Sequence, residues 1–361
     1  MLLGMTGVVL AAMGLLGALL NRQSRQMAEE LAGVLLAQKI QQVESRIQHL
    51  IGSAERQARL CAQLTPPGGL ESRDFVATFG RLAAGFLLQG DFTYLGYAVE
   101  STGEYGFLER RDATTCRFRE YVRLPSGERV IRIYAVEPHG LVLQQTLPWD
   151  GYDPRERPFY AAARASDGPA WTPTYVFKGN DWHPETLGVT HVLPVRDAQG
   201  ALLGVWDVDF DMQDLSAFLR KEASDQTGYA FVMEASERAD PVLIAHPEMA
   251  EVSLAQGMTS PLDPVLQPAV RPGETGVVSR DFRVEAEAGV RLIACRLLAS
   301  PSWIVAVVFD EAAALARLED NRRWVWLLVL GVTAAAVLTA AWLAHALWRP
   351  VEQLRSAVEA L

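Results

Sequence analysis

Two long apolar runs without Asp, Glu, Lys or Arg lie near the ends of the chain. Residues 2–20 read LLGMTGVVLAAMGLLGALL, and residues 324–348 read WVWLLVLGVTAAAVLTAAWLAHALW. Each approaches or exceeds the ~20 residues that a helix needs to cross a hydrocarbon core ~30 Å thick. Tryptophans lie near both ends of the second run, where lipid headgroups would contact them. We therefore predict transmembrane helices at 2–20 and 324–348.

The flanks of the first run distinguish it from a signal peptide. No basic residue precedes it, and GALLNRQ follows it in place of a small-x-small cleavage site. We interpret it as an uncleaved anchor, and its abrupt start leads us to expect further cytoplasmic residues before Met1. Arginines flank both sides of the membrane segments, so the positive-inside rule does not decide their orientation.

Between the two runs, the first pattern has the period of an amphipathic helix. Apolar residues recur at threes and fours through residues 21–64, at Met27, Leu31, Leu35, Val43, Ile47, Leu50 and Ala54. At ~1.5 Å per residue such a helix extends ~65 Å, which is more than one small domain covers. We expect part of the stripe to pack on a second copy of the chain, with packing on its own domain as the alternative.

Short runs rich in aromatic and β-branched residues follow the break at Pro66 to Gly69 and a helical segment at 75–88, and they predict strands. In a first module at 65–211 the predicted strands are Phe92–Val99, Tyr105–Arg110, Cys116–Leu124, Arg129–Val136, Pro173–Phe177, Leu187–Val195 and Leu202–Phe210. A second module at 212–309 opens with a helix at 212–223 and repeats the pattern in runs beginning at residues 228, 241, 275, 290 and 302.

The last segments return to helical patterns. Residues 310–323 predict an exit helix that continues into the second membrane run, and residues 349–361 space Val351, Leu354, Val358 and Leu361 as the a and d positions of a coiled coil. An a/d helix leading inward favours a signalling chain over a simple anchor.

Composition excludes several classes of function. The 361 residues carry a net charge of −10 with no basic run, so the electrostatic signature of a nucleic-acid binder is missing. No phosphate-binding glycine loop, nucleophile elbow or zinc-protease motif occurs, and the six histidines show no metal spacing. We therefore expect no catalysis, metal or cofactor within this chain. Cys61, Cys116 and Cys295 allow at most one disulfide and are expected to be small buried apolar residues.

The segment GYDPRERPFY at 151–160, then AWTPTYVF and LGVTHVLPVRDAQGALLGVWDVDF, resembles the membrane-distal module of double Cache sensor domains. The similarity continues in order through residues 21–320, including IAHP and SWIVAVV, and RPVEQLRSAVEAL resembles the start of a HAMP linker. The resemblance implies an α+β fold: a long N-terminal helix and two PAS-like antiparallel-sheet modules, flanked by two transmembrane helices.

Proteins of that family are bacterial inner-membrane receptors with a periplasmic or extracellular sensor region. The resemblance implies a multi-pass, homodimeric receptor that binds a small molecule and passes the signal to a kinase, cyclase or chemotaxis module. Two alternatives stay open: a membrane-anchored binding protein that presents its ligand to a partner, and a membrane-anchored enzyme with an unrecognised site.

The amino-acid-binding branch of the family implies a set of ligand-binding residues, at Tyr152, Arg157, Phe159, Tyr160, Tyr175 and Asp209, with Asp207 on the same strand face. A guanidinium suits a carboxylate, and an aspartate with aromatic rings suits an ammonium. Phe159 replaces the indole of the pattern and cannot donate a hydrogen bond, so an amino acid, an amine and an organic acid all remain candidate ligands.

Each of these residues also has a structural interpretation. Arg157 and Asp209 could form an ion pair within the domain, and the aromatic residues could be core residues. Trp171 and Trp206 are expected to serve packing first, while His183 and His191 are expected to be loop residues.

Overall fold

The computed structural model describes residues 2–90, 92–222, 228–235, 242–247, 280–286 and 289–310, with scattered positions between 327 and 345. Contacts divide the chain into one unit of residues 1–34 and 310–361 and another of residues 35–309. The second unit contains the strands. Residues 311–323 of the predicted exit helix and all of the HAMP-like segment at 349–361 lie outside the described residues.

The first helix, α1, runs Leu2–Gln63 without interruption. Its buried face follows the helical period from Ala32 to Cys61, with Ile40, Val43, Ile47 and Ala54 almost fully buried. The predicted long N-terminal helix is therefore confirmed, and it ends where Pro66 and Pro67 cannot continue it. The earlier apolar residues of the predicted stripe are exposed: Met27 at 63%, Leu31 at 43% and Leu35 at 38%.

In the part of the chain that the structure describes, no helix meets the length and apolarity that a membrane span requires.

A nine-stranded sheet forms most of the region at 65–211. Its antiparallel strands run in the order β5-β4-β3-β2-β1-β9-β8-β6, and β7 also pairs with β8. The bounds are β1 Tyr94–Val99, β2 Tyr105–Arg110, β3 Cys116–Arg123, β4 Arg129–Glu137, β5 Gly140–Pro148, β6 Ala170–Trp171, β7 Tyr175–Phe177, β8 Thr186–Arg196 and β9 Leu202–Asp211.

The helices α2, Ser72–Gln89, and α3, Pro158–Ala165, contact this sheet. Aromatic rings dominate the core under α2. Phe79 stacks on Phe118 with ring centres 4.9 Å apart, and its ring centre lies 5.7 Å from that of Trp206. Trp206 is fully buried and donates from Nε1 to Thr65 Oγ1 at 2.8 Å. The interpretation of Trp206 as a packing residue is therefore confirmed.

A five-stranded sheet follows the helix α4, Met212–Glu222. Its order is β11-β10-β14-β13-β12, and its strands are β10 Gly228–Glu234, β11 Val242–Ala245, β12 Arg280–Ala286, β13 Gly289–Leu298 and β14 Trp303–Asp310. Thr174, between β6 and β7, connects to this sheet through its backbone N–H and its hydroxyl, which donate to Glu234 Oε1 at 2.9 and 3.4 Å. The α+β class with a long N-terminal helix and antiparallel sheets is confirmed.

The three cysteines are free and buried. Burial raises the pKa of Cys61 to about 12 and that of Cys116 to about 11, so both thiols are protonated and unreactive near neutral pH. No disulfide forms, and the interpretation of these residues as small buried apolar groups is confirmed.

Candidate ligand-binding site

A cavity of about 170 Å³ opens beside the first sheet, between strands β1, β2, β3 and β9 and two loops. It is lined by Tyr94, Tyr105, Phe107, Arg119, Tyr121, Asp150, Tyr152, Arg157, Phe159, Tyr175, Phe177, Lys178, Gly179, Asn180 and Asp209. Five of the seven residues in the predicted binding set are therefore brought together: Tyr152, Arg157, Phe159, Tyr175 and Asp209. Tyr160 and Asp207 do not line the cavity.

The loop before α3 fixes the position of Arg157. Pro154 begins a 3-10 turn and Pro158 begins α3, so proline rings preset the backbone on both sides of Arg157. Asp153 caps the turn by accepting from Arg155 N at 3.0 Å and from Arg155 Nη2 at 2.7 Å. These contacts hold the Arg155 side chain against Asp153, and Arg155 does not line the cavity.

Arg157 is half-buried, and its protein contacts leave much of its guanidinium free for a ligand. Nη2 donates to the carbonyl of Val176 at 2.7 Å, and the guanidinium lies 5.8 Å from the ring centre of Tyr175. No ion pair within 4.0 Å joins Arg157 to Asp209 or to any other described carboxylate. The structural ion pair between Arg157 and Asp209 is therefore absent from this structure.

Asp209 lies on β9 opposite Thr190 of β8 and Tyr94 of β1. Its Oδ1 accepts from Thr190 Oγ1 at 2.6 Å, and Thr190 Oγ1 lies 2.8 Å from the hydroxyl of Tyr175. Burial raises the pKa of Asp209 to about 7, against the lowering effects of the Thr190 hydrogen bond and the Arg157 charge. Asp209 is thus a carboxyl group poised to ionise when a cation enters.

Asp207 and Tyr160 form a layer behind the cavity wall. Asp207 is fully buried, accepts from the hydroxyl of Tyr105 at 2.8 Å, and has a pKa well above its usual range because of desolvation and then the charge of Asp209. Tyr160 is also fully buried and donates to Glu100 Oε2 at 2.8 Å. Both therefore support wall residues rather than present atoms to the cavity.

Aromatic rings line one side of the cavity as a continuous wall. The ring of Tyr105 stacks on that of Phe107 with ring centres 5.0 Å apart. Its ring centre lies 6.0 Å from those of both Tyr152 and Phe159. The ring centres of Tyr121 and Tyr152 are 5.1 Å apart. Phe159 is 3% exposed and packs among these rings. The wall offers π faces to an ammonium, whereas Phe159 offers no hydrogen bond.

A buried ionic network holds the loop at 178–183 that closes the other side. Arg117 donates from Nε to Glu109 Oε2 at 2.6 Å and from its two terminal nitrogens to Asp181 at 2.7 and 2.8 Å. Asn180 donates to Glu109 Oε1 at 2.6 Å, and the Arg117 guanidinium lies 4.0 Å from the ring centre of Trp182. The network fixes Gly179 and Asn180 where they line the cavity.

Several wall residues were outside the set predicted from the sequence. The pairs Tyr105 and Phe107, and Arg119 and Tyr121, lie two residues apart on their strands, so strand alternation could have placed each pair on one face. Lys178 and Asp150, which pair at 2.9 Å, carry no comparable signal because they lie on separate loops.

The two histidines expected in loops have structural contacts. His183 Nε2 lies 2.7 Å from the carbonyl oxygen of Arg110, and the backbone N–H of His183 donates to Asn180 Oδ1 at 3.1 Å. His191 instead lies within strand β8, 2% exposed, with its ring 4.9 Å from that of Trp171. The loop interpretation of His191 is therefore wrong, because Val189 and Val192 beside it are core residues of a buried strand.

A second cavity, of about 630 Å³, lies between α1, α2, β9 and α4, with Trp171 and Trp303 in its wall. Its lining includes Arg46 and Arg110 together with the carboxyl groups of Asp211, which is buried, and of Asp214, which is exposed. No residue of the predicted binding set lines it.

Ionisation of Asp209 should destabilise the ligand-free protein as pH rises. A carboxyl pKa raised by folding contributes stability that is complete below the unfolded value near 4 and is lost as pH rises through the folded value, about 7. Asp209→Asn removes this penalty. We expect the free energy of unfolding of Asp209→Asn, minus that of the parent, to increase by on the order of 2 kcal/mol from pH 5 to pH 8.

Melting temperatures of both proteins across that pH range check this expectation. Comparing the two proteins cancels the shared contributions of Asp211, Glu120 and Glu234, whose pKa values burial also raises. Asp167→Asn, at an exposed carboxylate, serves as the control. A constant difference between parent and Asp209→Asn from pH 5 to 8 would count against an ionising Asp209.

Known proteins with a related sequence or fold are bacterial chemoreceptors. The methyl-accepting chemotaxis protein PscA of Pseudomonas syringae pv. tomato is 26% identical over 207 residues, which are 57% of this chain and 30% of that protein. The chain thus spans under a third of the relative's length. No protein-family model matches the sequence.

Two solved structures share the fold. The ligand-binding domain of the amino-acid chemoreceptor PctB of Pseudomonas aeruginosa PAO1, in complex with L-Arg, has a TM-score of 0.50 and 20% identity over 80% of this chain and 92% of its own. The ligand-binding domain of the Campylobacter jejuni chemoreceptor Tlp3, with 4-methylisoleucine, has a TM-score of 0.50 and 12% identity over 80% of this chain and 94% of its own. This chain therefore has the fold of bacterial chemoreceptor ligand-binding domains, as its resemblance to double Cache sensor domains implied.

Proposed function

We propose that this chain is the sensor portion of a transmembrane receptor and that its cavity binds a free amino acid. One observation carries the proposal: Arg157, whose guanidinium makes no ion pair with a described residue, and the buried carboxyl group of Asp209 line one small aromatic-walled cavity. A zwitterion supplies the partner that each lacks, a carboxylate for the first and an ammonium for the second.

Ligand binding should ionise the Asp209 carboxyl group fully. An ammonium against Asp209 stabilises the carboxylate and lowers its pKa from about 7. The rings of Tyr152 and Tyr175 then cover the ammonium, and Arg157 approaches the α-carboxylate from the loop side. Phe159 closes the cavity as an apolar wall.

The sequence pattern and the relatives support a proposal for the rest of the receptor. We assign the runs at 2–20 and 324–348 to the bacterial inner membrane, with residues 21–323 in the periplasm. A chemotaxis signalling module after residue 361, as in a methyl-accepting chemotaxis protein, is the output that the PscA similarity favours. No step of catalysis is assigned to this chain.

Homodimerisation through α1 accounts for its exposed apolar residues. Met27, Leu31, Val34 and Leu35 follow the helical period and remain solvent-exposed at 38–63% in the single chain. A second copy packed along this stripe would cover them. Ligand binding would then shift the equilibrium between two arrangements of the dimer. The size of that shift is set by the difference between the ligand's affinities for the two arrangements.

The direct test is a thermal-shift panel on the 361-residue chain in detergent micelles. A ligand that binds only the folded state stabilises it by RT ln(1 + [L]/Kd), or about 2.7 kcal/mol at a hundredfold excess over Kd. We expect amino acids to raise the melting temperature, and amines or organic acids alone to have much less effect. A response to amines or organic acids alone would contradict zwitterion binding, and silence across the panel would contradict the proposal as a whole.

A further inference from the structure

One wall residue of the cavity has a charge that the protein itself leaves poorly compensated. Arg119 is 7% exposed, and its buried Nε has no hydrogen-bond partner among the described residues. The hydrogen bond that its guanidinium makes with the described residues is a long contact of 3.5 Å from Nη2 to Asp181 Oδ1. Burying a cation with so few hydrogen bonds is costly, so its position needs an explanation.

Asp181 does not provide that explanation. Its two oxygens already accept the paired donors of Arg117 at 2.7 and 2.8 Å, and its side chain is 57% exposed. Lys178, the third cation of the wall, is already paired with Asp150 at 2.9 Å. Arg119 is therefore a buried wall cation whose one anionic neighbour among the described residues, Asp181 at 3.5 Å, is already bound more closely by Arg117.

Sheet geometry places Arg119 at the opposite end of the cavity from Asp209. Arg119 lies on β3, paired with Phe107 on β2, whereas Asp209 lies on β9, paired with Tyr94 on β1. The order β3-β2-β1-β9 separates the two backbones by three strand spacings, or ~14 Å at ~4.8 Å each. The two side chains span part of this distance, and a small ligand would span the remainder.

We propose that Arg119 binds a second anionic group of the ligand, so that the cavity prefers acidic amino acids to neutral ones. This inference rests on the proposed function, because it assumes an ammonium at Asp209 and an α-carboxylate at Arg157. The side-chain carboxylate of the ligand then receives the Arg119 donors that the protein does not use. Phe107 and Tyr121, which line the cavity with Arg119, would provide apolar walls beside that carboxylate.

Isosteric ligand pairs test the inference without changing the protein. Isothermal titration of the 361-residue chain in detergent should give L-glutamate or L-aspartate a Kd about 10- to 100-fold below that of its amide, L-glutamine or L-asparagine. Equal affinities within a pair, or a preference for the amide, would overturn the inference. Binding of neutral amino acids in the absence of acidic binding would overturn it while leaving the proposed function intact.

A variant pair then assigns the preference to Arg119. Arg119→Gln should reduce the ratio of amide to acid Kd to within a few-fold of one, whereas Arg123→Gln, the same change at an exposed position of β3, should preserve it. An unchanged ratio in folded Arg119→Gln would contradict the assignment. If Arg119→Gln does not fold, Arg119→Lys replaces it and should still bind the acid more tightly than the amide. In that case the amide-to-acid Kd ratio of the parent chain decides whether the inference holds. If no amino acid of any kind binds, the proposed function and this inference fail together.

Discussion

Arg157→Met should abolish the amino-acid-induced rise in melting temperature and weaken binding by about 100-fold, because it removes the charged donors for the α-carboxylate. The ligand-free variant should remain folded. Arg157 is half-buried and makes one hydrogen bond, to the carbonyl of Val176, and no ion pair within the described residues. Isothermal titration and melting curves on the same preparations separate the loss of affinity from any loss of stability.

Arg164→Met is the matched control for that change. Arg164 lies on α3 near Arg157, pairs with Glu100 at 2.7 Å, and does not line the cavity. The Arg164→Met protein should bind amino acids with the same affinity as the parent. An Arg157→Met chain that keeps parental affinity would show that the α-carboxylate binds elsewhere.

Arg117→Met should cost about 3–5 kcal/mol of stability, the largest effect expected here. It leaves Glu109, which is fully buried, without its cationic partner, and it releases Asp181. The loop at 178–183 should loosen as well, because Asn180 is anchored to the same carboxylate. Urea denaturation followed by tryptophan fluorescence would report both changes, since Trp182 lies against the Arg117 guanidinium.

A double variant distinguishes loss of packing from an unpaired buried charge. Glu109→Gln together with Arg117→Met removes both charges, so it should recover much of the stability that Arg117→Met loses. Arg123→Met controls for the same substitution on an exposed part of β3. A loss below about 1 kcal/mol for Arg117→Met would mean that Glu109 finds another partner.

The periodicity of the sequence predicted most elements of the fold for clear physical reasons. The C-terminal end of α1 and the strands β2 and β9 match their predicted positions to within one residue, because each buries at least one face. Strand β5 was not predicted. Its residues, GLVLQQTLP, are largely exposed and lie at a sheet edge, so burial imposes little pattern there.

The candidate site shows a different limit of sequence reasoning. Strand alternation correctly placed Asp207 on the same face as Asp209, but it does not give depth, and the Tyr105 ring lies between Asp207 and the cavity. Arg119 and Lys178 join the wall through strand register and loop conformation. Those are set by contacts far apart in the chain, which periodicity does not report.

The neighbouring residues Thr174 and Tyr175 serve two different parts of the molecule. Tyr175 lines the cavity, while the backbone N–H and hydroxyl of Thr174 donate to Glu234 at 2.9 and 3.4 Å, on the second sheet. Burial raises the pKa of Glu234, so loss of these donors is costly when it is ionised. A ligand that displaced the Tyr175 backbone would therefore also displace the adjacent Thr174, whose two hydrogen bonds attach this segment to the second sheet.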